Sequence, residues 1–189
     1  MSTSDVERLA ESLGLLPVPV VKPALVVISG LPGTGKTYFC SKLIERIPLA
    51  LLESDGMRKV LFPTPTYSAE ESSRLFRAIH QLIEGLLRKG VSLILDATNL
   101  SERNREYLYS IADHAGAKLV LVSIEAPPGV VRDRLSRRIE GAGSRSDADW
   151  DVYEKMRTSV ESIRRRHFVV DTSRDITTAL DKIEKEVMR

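Results

Sequence analysis

The chain has 189 residues, 42% of them apolar and 29% charged, with a net charge of +2. That length supports one sizeable core and leaves little room for a second domain, and so small a net charge makes no electrostatic case for a nucleic-acid partner by itself. One cysteine excludes a disulfide framework within the chain, and no stretch approaches the ~18 apolar residues of a membrane span, so a soluble, cytoplasmic protein without a membrane partner is expected.

From about Ser4 to Leu16, Val6, Leu9, Ala10, Leu13 and Leu16 fall at helical spacing. Pro17, Pro19 and Pro23 then force an extended link, so residues 1–23 read as an N-terminal helical extension and linker, ahead of a domain over residues 24–189. The apolar run Leu25-Val26-Val27-Ile28-Ser29 is the first strand. It leads into Gly30-Leu31-Pro32-Gly33-Thr34-Gly35-Lys36-Thr37, and a helix carrying Phe39, Leu43 and Ile47 follows. This is a P-loop in its required context. Its glycines let successive backbone N–H groups converge on a phosphate, the helix N-terminus adds partial positive charge, Lys36 reaches the β- and γ-phosphates, and the Thr37 hydroxyl suits Mg²⁺. A chance match to the pattern is expected in roughly one chain of this length in a hundred, before strand and helix flanks are required.

A second strand, Leu49 to Glu53, delivers Ser54-Asp55, followed by a helical turn over Gly56 to Leu61 and a proline-broken loop. Leu75, Phe76, Ile79, Leu82, Ile83, Leu86 and Leu87 form the stripe of a long amphipathic helix ending at Gly90. Val91 to Leu95 is a third strand, with Asp96-Ala97-Thr98-Asn99 at its end, and Ser101 is suited to cap the helix that follows. Leu119 to Ile124 is a fourth strand. Pro127-Pro128 opens a helix carrying Arg132, Arg134, Arg137 and Arg138, which runs into the small residues of Glu140 to Ser144; a mobile lid over about 134–149 fits that pattern. Asp147 or Asp149 can cap a helix through Trp150, Tyr153, Met156, Val160 and Ile163, with Trp150 as a packing anchor. Phe168 to Thr172 is a fifth strand before a terminal helix. Strands alternating with helices predict an α/β fold, a five-stranded parallel sheet covered by helices on both faces.

In such sheets the ligand crevice lies beyond the carboxyl ends of the strands, so each residue leaving a strand is a site candidate. The nucleotide site is drawn as Gly30, Pro32, Gly33, Thr34, Gly35, Lys36, Thr37 and Tyr38, with Thr172 from the fifth strand. Asp96 ends its strand in the manner of a Walker-B carboxylate and, with Thr37, forms the expected Mg²⁺ site. Asp55 is the candidate base that deprotonates an acceptor hydroxyl; Arg58, three residues on, shares its side of a helical turn and can grip that acceptor. Thr98 and Asn99 are placed to reach the γ-phosphate or the acceptor. Arg134 and Arg138 share a helix face and are expected to clamp the transferring phosphoryl group, beside Lys36 as the catalytic cation.

With these residues in view, the chain resembles the P-loop kinase group that includes zeta-toxin-like kinases and 5′-OH polynucleotide kinases, over about residues 24–173. The resemblance rests on Gly30 to Thr37, Ser54-Asp55-Gly56-Met57-Arg58, Asp96-Ala97-Thr98-Asn99 with Arg105 downstream, Pro127 followed by Arg134 and Arg138, and Ser146 to Asp149. It is strongest to the kinase module of bacterial polynucleotide kinase-phosphatases. The resemblance implies a general base at Asp55, acceptor contacts at Arg58 and Arg105, and lid arginines at 134 and 138. The expected activity is transfer of the γ-phosphate of ATP, with Mg²⁺, to a hydroxyl-bearing acceptor. A polynucleotide 5′-OH leads, and a sugar, nucleoside or antibiotic is the alternative. A nucleotide-switch ATPase is a second alternative, disfavoured because no guanine-reading Asn-Lys-x-Asp motif is present.

Overall fold

Alternation along the first strand explains why helices cover both faces of the sheet. In β1 (Ala24–Ser29) every residue is buried; Leu25 and Val27 enter one core, while Val26 and Ile28 enter the other. β3 (Leu93–Asp96) divides likewise, Leu93 and Leu95 against Ile94. Runs of this kind suit only a parallel sheet sandwiched between helical layers.

The computed structural model describes residues 4–140 and 149–189, with residues 138–140 described by backbone alone. β2 (Ala50–Glu53), β4 (Lys118–Glu125) and β5 (Phe168–Asp171) complete a five-stranded sheet in the order β2-β3-β1-β4-β5. All four pairings are parallel. Their register sets Glu53 beside Asp96, and Glu125 beside Asp171, at the carboxyl edge. The expected parallel sheet is therefore the one observed.

The larger core lies under α1 (Asp5–Ser12), α3 (Ser54–Leu61), α4 (Ala69–Arg88) and α5 (Glu102–His114). α4 is the long amphipathic helix of the sequence, with Leu75, Ile79, Leu82, Ile83, Leu86 and Leu87 buried and Ser68 as its cap. On the other face, α2 (Lys36–Ile44) and α8 (Thr177–Met188) bury Phe39, Leu43, Leu180 and Ile183. Cys40 lies in this core, and burial pushes its thiol well above the ordinary cysteine value, so it behaves as a small hydrophobe. α1 packs on α3 and α4: Leu9 is fully buried, Arg8 donates to Val60 O, and Asp5 takes two bonds from Arg74, at 2.6 and 2.8 Å.

α6 (Pro128–Glu140) and α7 (Trp150–Arg157) form a small third cluster around Val131, Leu135 and Tyr153. Asp149 caps α7, accepting from Val152 N at 2.9 Å, and Trp150 stacks on Tyr153 with ring centroids 4.8 Å apart. α7 is shorter than the expected helix through Ile163. The chain leaves it at Thr158, Val160 is 50% exposed, and Glu161 N donates to Leu100 O, which draws the following segment out as an irregular strap. The side chain of Arg138, and residues 141–148 of the expected lid, lie outside the described residues.

Candidate active site

A cleft of about 410 Å³ opens at the carboxyl edge of the sheet, between the P-loop, the ends of β2 and β3, and α7. The loop owes its shape to three glycines that meet two different requirements. Gly33 and Gly35 have φ of +78° and +93°, where a side chain is strained. At Gly30 the demand is close approach, since a Cβ would stand 2.5 Å from the Ile124 carbonyl oxygen. Thr34 Oγ1 donates to Leu31 O at 2.8 Å, closing the turn, and Lys36 Nζ donates to the same carbonyl at 3.0 Å from across the loop.

Thr37 Oγ1 lies 2.7 Å from Asp96 Oδ2. A hydroxyl and a carboxylate side by side at the start of the helix that follows a phosphate loop form an all-oxygen donor set suited to Mg²⁺. Burial pushes the Asp96 carboxyl above its ordinary value; Lys36 and the Thr37 hydroxyl oppose this, while Glu53 and Asp55 reinforce it. Three carboxylates thus share one wall, and a cation bound there would relieve their repulsion. Pro32, Gly33, Gly35, Lys36, Asp55 and Thr98 all line the cleft, as their strand-end positions suggest.

Other expected site residues are elsewhere. Asn99, at φ +44°, donates from Nδ2 to Ile28 O at 2.7 Å, and its carbonyl accepts from Ser29 and Arg105; it shapes the turn and does not line the cleft. Arg105 is 1% exposed. Its guanidinium donates to the carbonyls of Asn99, Glu161 and Ser162 and pairs with Glu102, binding the strap after α7 to the loop after β3. Both residues, expected to reach the acceptor, instead hold protein groups beneath the surface and do not line the cleft.

Thr172 stands under the P-loop. Its hydroxyl donates to Thr34 O and accepts from Arg134 Nη1, while Arg134 Nη2 reaches Thr172 O at 2.9 Å. Arg134 also touches Gly33 O at 3.4 Å, so it braces the loop from α6. Tyr38 is 52% exposed on α2, outside the cleft lining. Arg58 does line the cleft, but Nη1 is held by Glu71 Oε1 at 2.6 Å and Nη2 by Ser72 Oγ at 3.2 Å, with the Tyr67 ring 4.8 Å away.

Sequence reasoning passed over Glu53, Glu71, Tyr67 and Phe76. Glu53 could have been found by the strand-end rule that selected Asp55, because it is the last residue of β2. Glu71 carries a helix-start signal, Ser68-x-x-Glu71, which hides its longer reach: its carboxylate also accepts from Thr66 N, Thr66 Oγ1 and Tyr67 N. Phe76 belongs to the amphipathic stripe of α4, yet its ring reaches the cleft.

A family described as an AAA domain matches residues 25–163. The chain belongs to that family. A probable adenylyl-sulfate kinase from Archaeoglobus fulgidus is 28% identical over 88 residues, 44% of this chain and 57% of that protein; the chain thus matches little more than half the length of this curated relative. Among solved structures, a protein from Chloroflexus aurantiacus J-10-fl provisionally assigned as a kinase is 25% identical, with a TM-score of 0.67 over 87% of this chain and 98% of the other. The Mycobacterium tuberculosis APS kinase CysC, solved with AMPPNP and APS, shares the fold at 15% identity and TM-score 0.65, over 91% and 100% of the two chains. The Pnkp1/Rnl/Hen1 RNA repair complex shares it at 23% identity and TM-score 0.63, over 73% of this chain and 44% of that one. The family and its P-loop kinase fold agree with the resemblance drawn from the sequence. No helix among the described residues is long and apolar enough to cross a membrane.

Proposed function

We propose that the protein is an ATP-dependent phosphotransferase that moves the γ-phosphate to an alcohol. The observation that carries this reading is the Thr37–Asp96 contact of 2.7 Å at the foot of a cleft that Lys36 and Asp55 also line. The P-loop amides and Lys36 would hold the triphosphate, and Thr37 and Asp96 would hold Mg²⁺, which when bound would neutralise phosphate charge. Asp55 takes the proton of the acceptor hydroxyl, the acceptor oxygen forms its bond to the γ-phosphorus, and the bridging oxygen leaves with the electron pair of the broken P–O bond as ADP departs. Arg134 supports this step indirectly, by keeping Gly33 and Thr172 in register beneath the loop. Arg138 is proposed, on its spacing from Arg134 and on the resemblance, as a lid arginine that clamps the transferring phosphoryl group.

The test is transfer of labelled γ-phosphate from ATP to 5′-OH DNA and RNA oligonucleotides, nucleosides, sugars and aminoglycosides. Asp55→Ala is expected to abolish transfer while nucleotide affinity changes little, whereas Lys36→Ala weakens both. An Asp55→Ala enzyme that loses nucleotide binding in equal measure refutes the base assignment, and an active Lys36→Ala enzyme refutes the reading as a whole.

A further inference from the structure

We propose that the amino edge of the sheet carries a second binding surface, a basic groove that takes a single-stranded nucleic acid by its phosphates. The groove, of about 630 Å³, lies at the opposite end of β5 from the cleft: Phe168 begins the strand and lines the groove, whereas Thr172, just past the strand's end, stands under the P-loop. Four residues of strand separate the two by about 13 Å. Arg166, Lys182, Lys185 and Arg189 line the groove against one carboxylate, Glu186. None of these residues lines the cleft, so the surface stands independently of the phosphotransfer reading.

α8 sorts its charges by flank. Asp181 and Glu184 turn toward α2, where both meet Arg46 Nη1, at 2.6 and 3.4 Å. Lys182, Lys185 and Arg189 stand on the other flank of the buried Leu180 and Ile183, facing the groove. The strap before β5 is sorted likewise: Arg165 lies over the Tyr109 ring and 3.6 Å from Asp113, while the next residue, Arg166, lines the groove. Arg166, Lys182 and Lys185 pair with no carboxylate among the described residues, and Arg189 meets Glu186 only at 3.8 Å. Lys118, whose Nζ reaches Val187 O at 3.4 Å, adds a further cation beside α8. A single anion needs donors that converge, and these form a row. Lys182, Lys185 and Arg189 advance by about 4.5 and 6 Å along the helix, so a polymer with a phosphate on every unit meets them in turn. The groove also has an apolar part, Phe168 and Met188, the latter 66% exposed. Unpaired bases stack on such a surface beside a basic track, whereas a run of carboxylates has nothing to lay on it.

The experiment is a fluorescence-anisotropy titration of the full chain with a labelled oligouridylate of about 20 nucleotides, with and without AMPPNP, which competes for the P-loop. Binding is expected that AMPPNP does not displace and that salt weakens. Lys182→Glu together with Lys185→Glu should lower the affinity at least tenfold. The slope of log affinity against log salt should become shallower by about 1.4, two single-strand contacts at ~0.7 each. Arg77→Glu with Lys89→Glu changes the net charge equally, at exposed positions on and just after α4, which covers the other face of the sheet; it should shift the affinity less than threefold. Should the Lys182 and Lys185 double variant fail to fold, Lys182→Gln with Lys185→Gln reads the same slope. Four results overturn the inference: no binding of oligouridylate at low salt, complete displacement by AMPPNP, equal losses in the two double variants, or tighter binding of polyglutamate or phosphatidylserine vesicles at matched charge.

Discussion

Replacing Arg105 with Met separates two roles for one residue. The resemblance made Arg105 an acceptor contact, whereas in the fold it is a buried strut. The substitution keeps the length of the side chain but leaves Glu102 without its partner, at an ion-pair distance of 2.7 Å, and orphans the carbonyls of Asn99, Glu161 and Ser162, now bonded at 2.7, 2.9 and 3.0 Å. Breaking one member of a buried, hydrogen-bonded pair costs about 3–5 kcal/mol. In a chain of this size each kcal/mol lowers Tm by about 2–4 °C, so a fall of about 6–20 °C is expected. Circular dichroism melting measures it, and steady-state kinetics well below the new Tm, with whichever alcohol the enzyme phosphorylates, measures the other role. There the acceptor KM should stay within about twofold of wild type. A variant with wild-type Tm and a greatly raised acceptor KM would refute the strut and restore the acceptor contact.

Three further outcomes follow from the packing. Leu9→Ala empties a fully buried position under α3 and α4 and should cost about 2–5 kcal/mol; an unchanged melting temperature would mean that α1 is no part of the folding unit. Gly30→Ala sets a Cβ 2.5 Å from a backbone carbonyl of β4 that cannot swing aside, so nucleotide affinity should fall at least tenfold, measured by titration with a fluorescent ATP analogue; undiminished affinity would refute the close approach. Burial raises the Glu71 carboxyl, but the Thr66 N–H, Arg58 and the Thr66 hydroxyl overcome that and bring it to about 2 from an ordinary 4.5. A folded value below the unfolded one means a stabilising contribution that is complete above pH 4.5 and is lost as pH falls toward 2. Urea midpoints of wild type and Glu71→Gln should accordingly converge across that window and run parallel above it.

The parts of the fold that were legible are those where local chemistry and tertiary demand coincide. The central strands β1 and β3 are buried on both faces, so they read as unbroken apolar runs, and Ser101 and Asp149 sit at helix starts because their oxygens accept there. The P-loop was legible for the same reason: Gly33 and Gly35 answer a backbone requirement that no other residue meets without strain. Arg105 and Asn99 misled because a motif position records that a residue type is needed, without recording which way its side chain turns. Val160 and Ile163 continued a helical stripe in spacing, but a backbone bond from Glu161 to Leu100 and two from Arg105 into the strap prevailed over local periodicity. Glu71 was hidden by distance, because its partner Arg58 lies 13 residues away on another helix.

Strand order also decides among the carboxylates that the sequence leaves at strand ends. Neighbouring strands stand about 4.8 Å apart, and the observed order sets β3 directly beside β1 with β2 one strand further out. A carboxylate that shares a cation with Thr37 must come from the adjacent strand, and Asp96 does. A base that strips a hydroxyl proton must stand beyond the γ-phosphate, on the acceptor side, which points to the end of β2, roughly 10 Å from β1 by the same spacing. Asp171 ends β5, two strands away on the opposite flank, and its carboxylate is spent on Ser173 N and Oγ at 2.9 and 2.6 Å. Equivalent in the linear sequence, the three aspartates become distinct once the crossovers are laid down: β3 and β2 lie on the same side of β1, one and two strands out, and the proposed division of labour between Asp96 and Asp55 follows from that difference in distance.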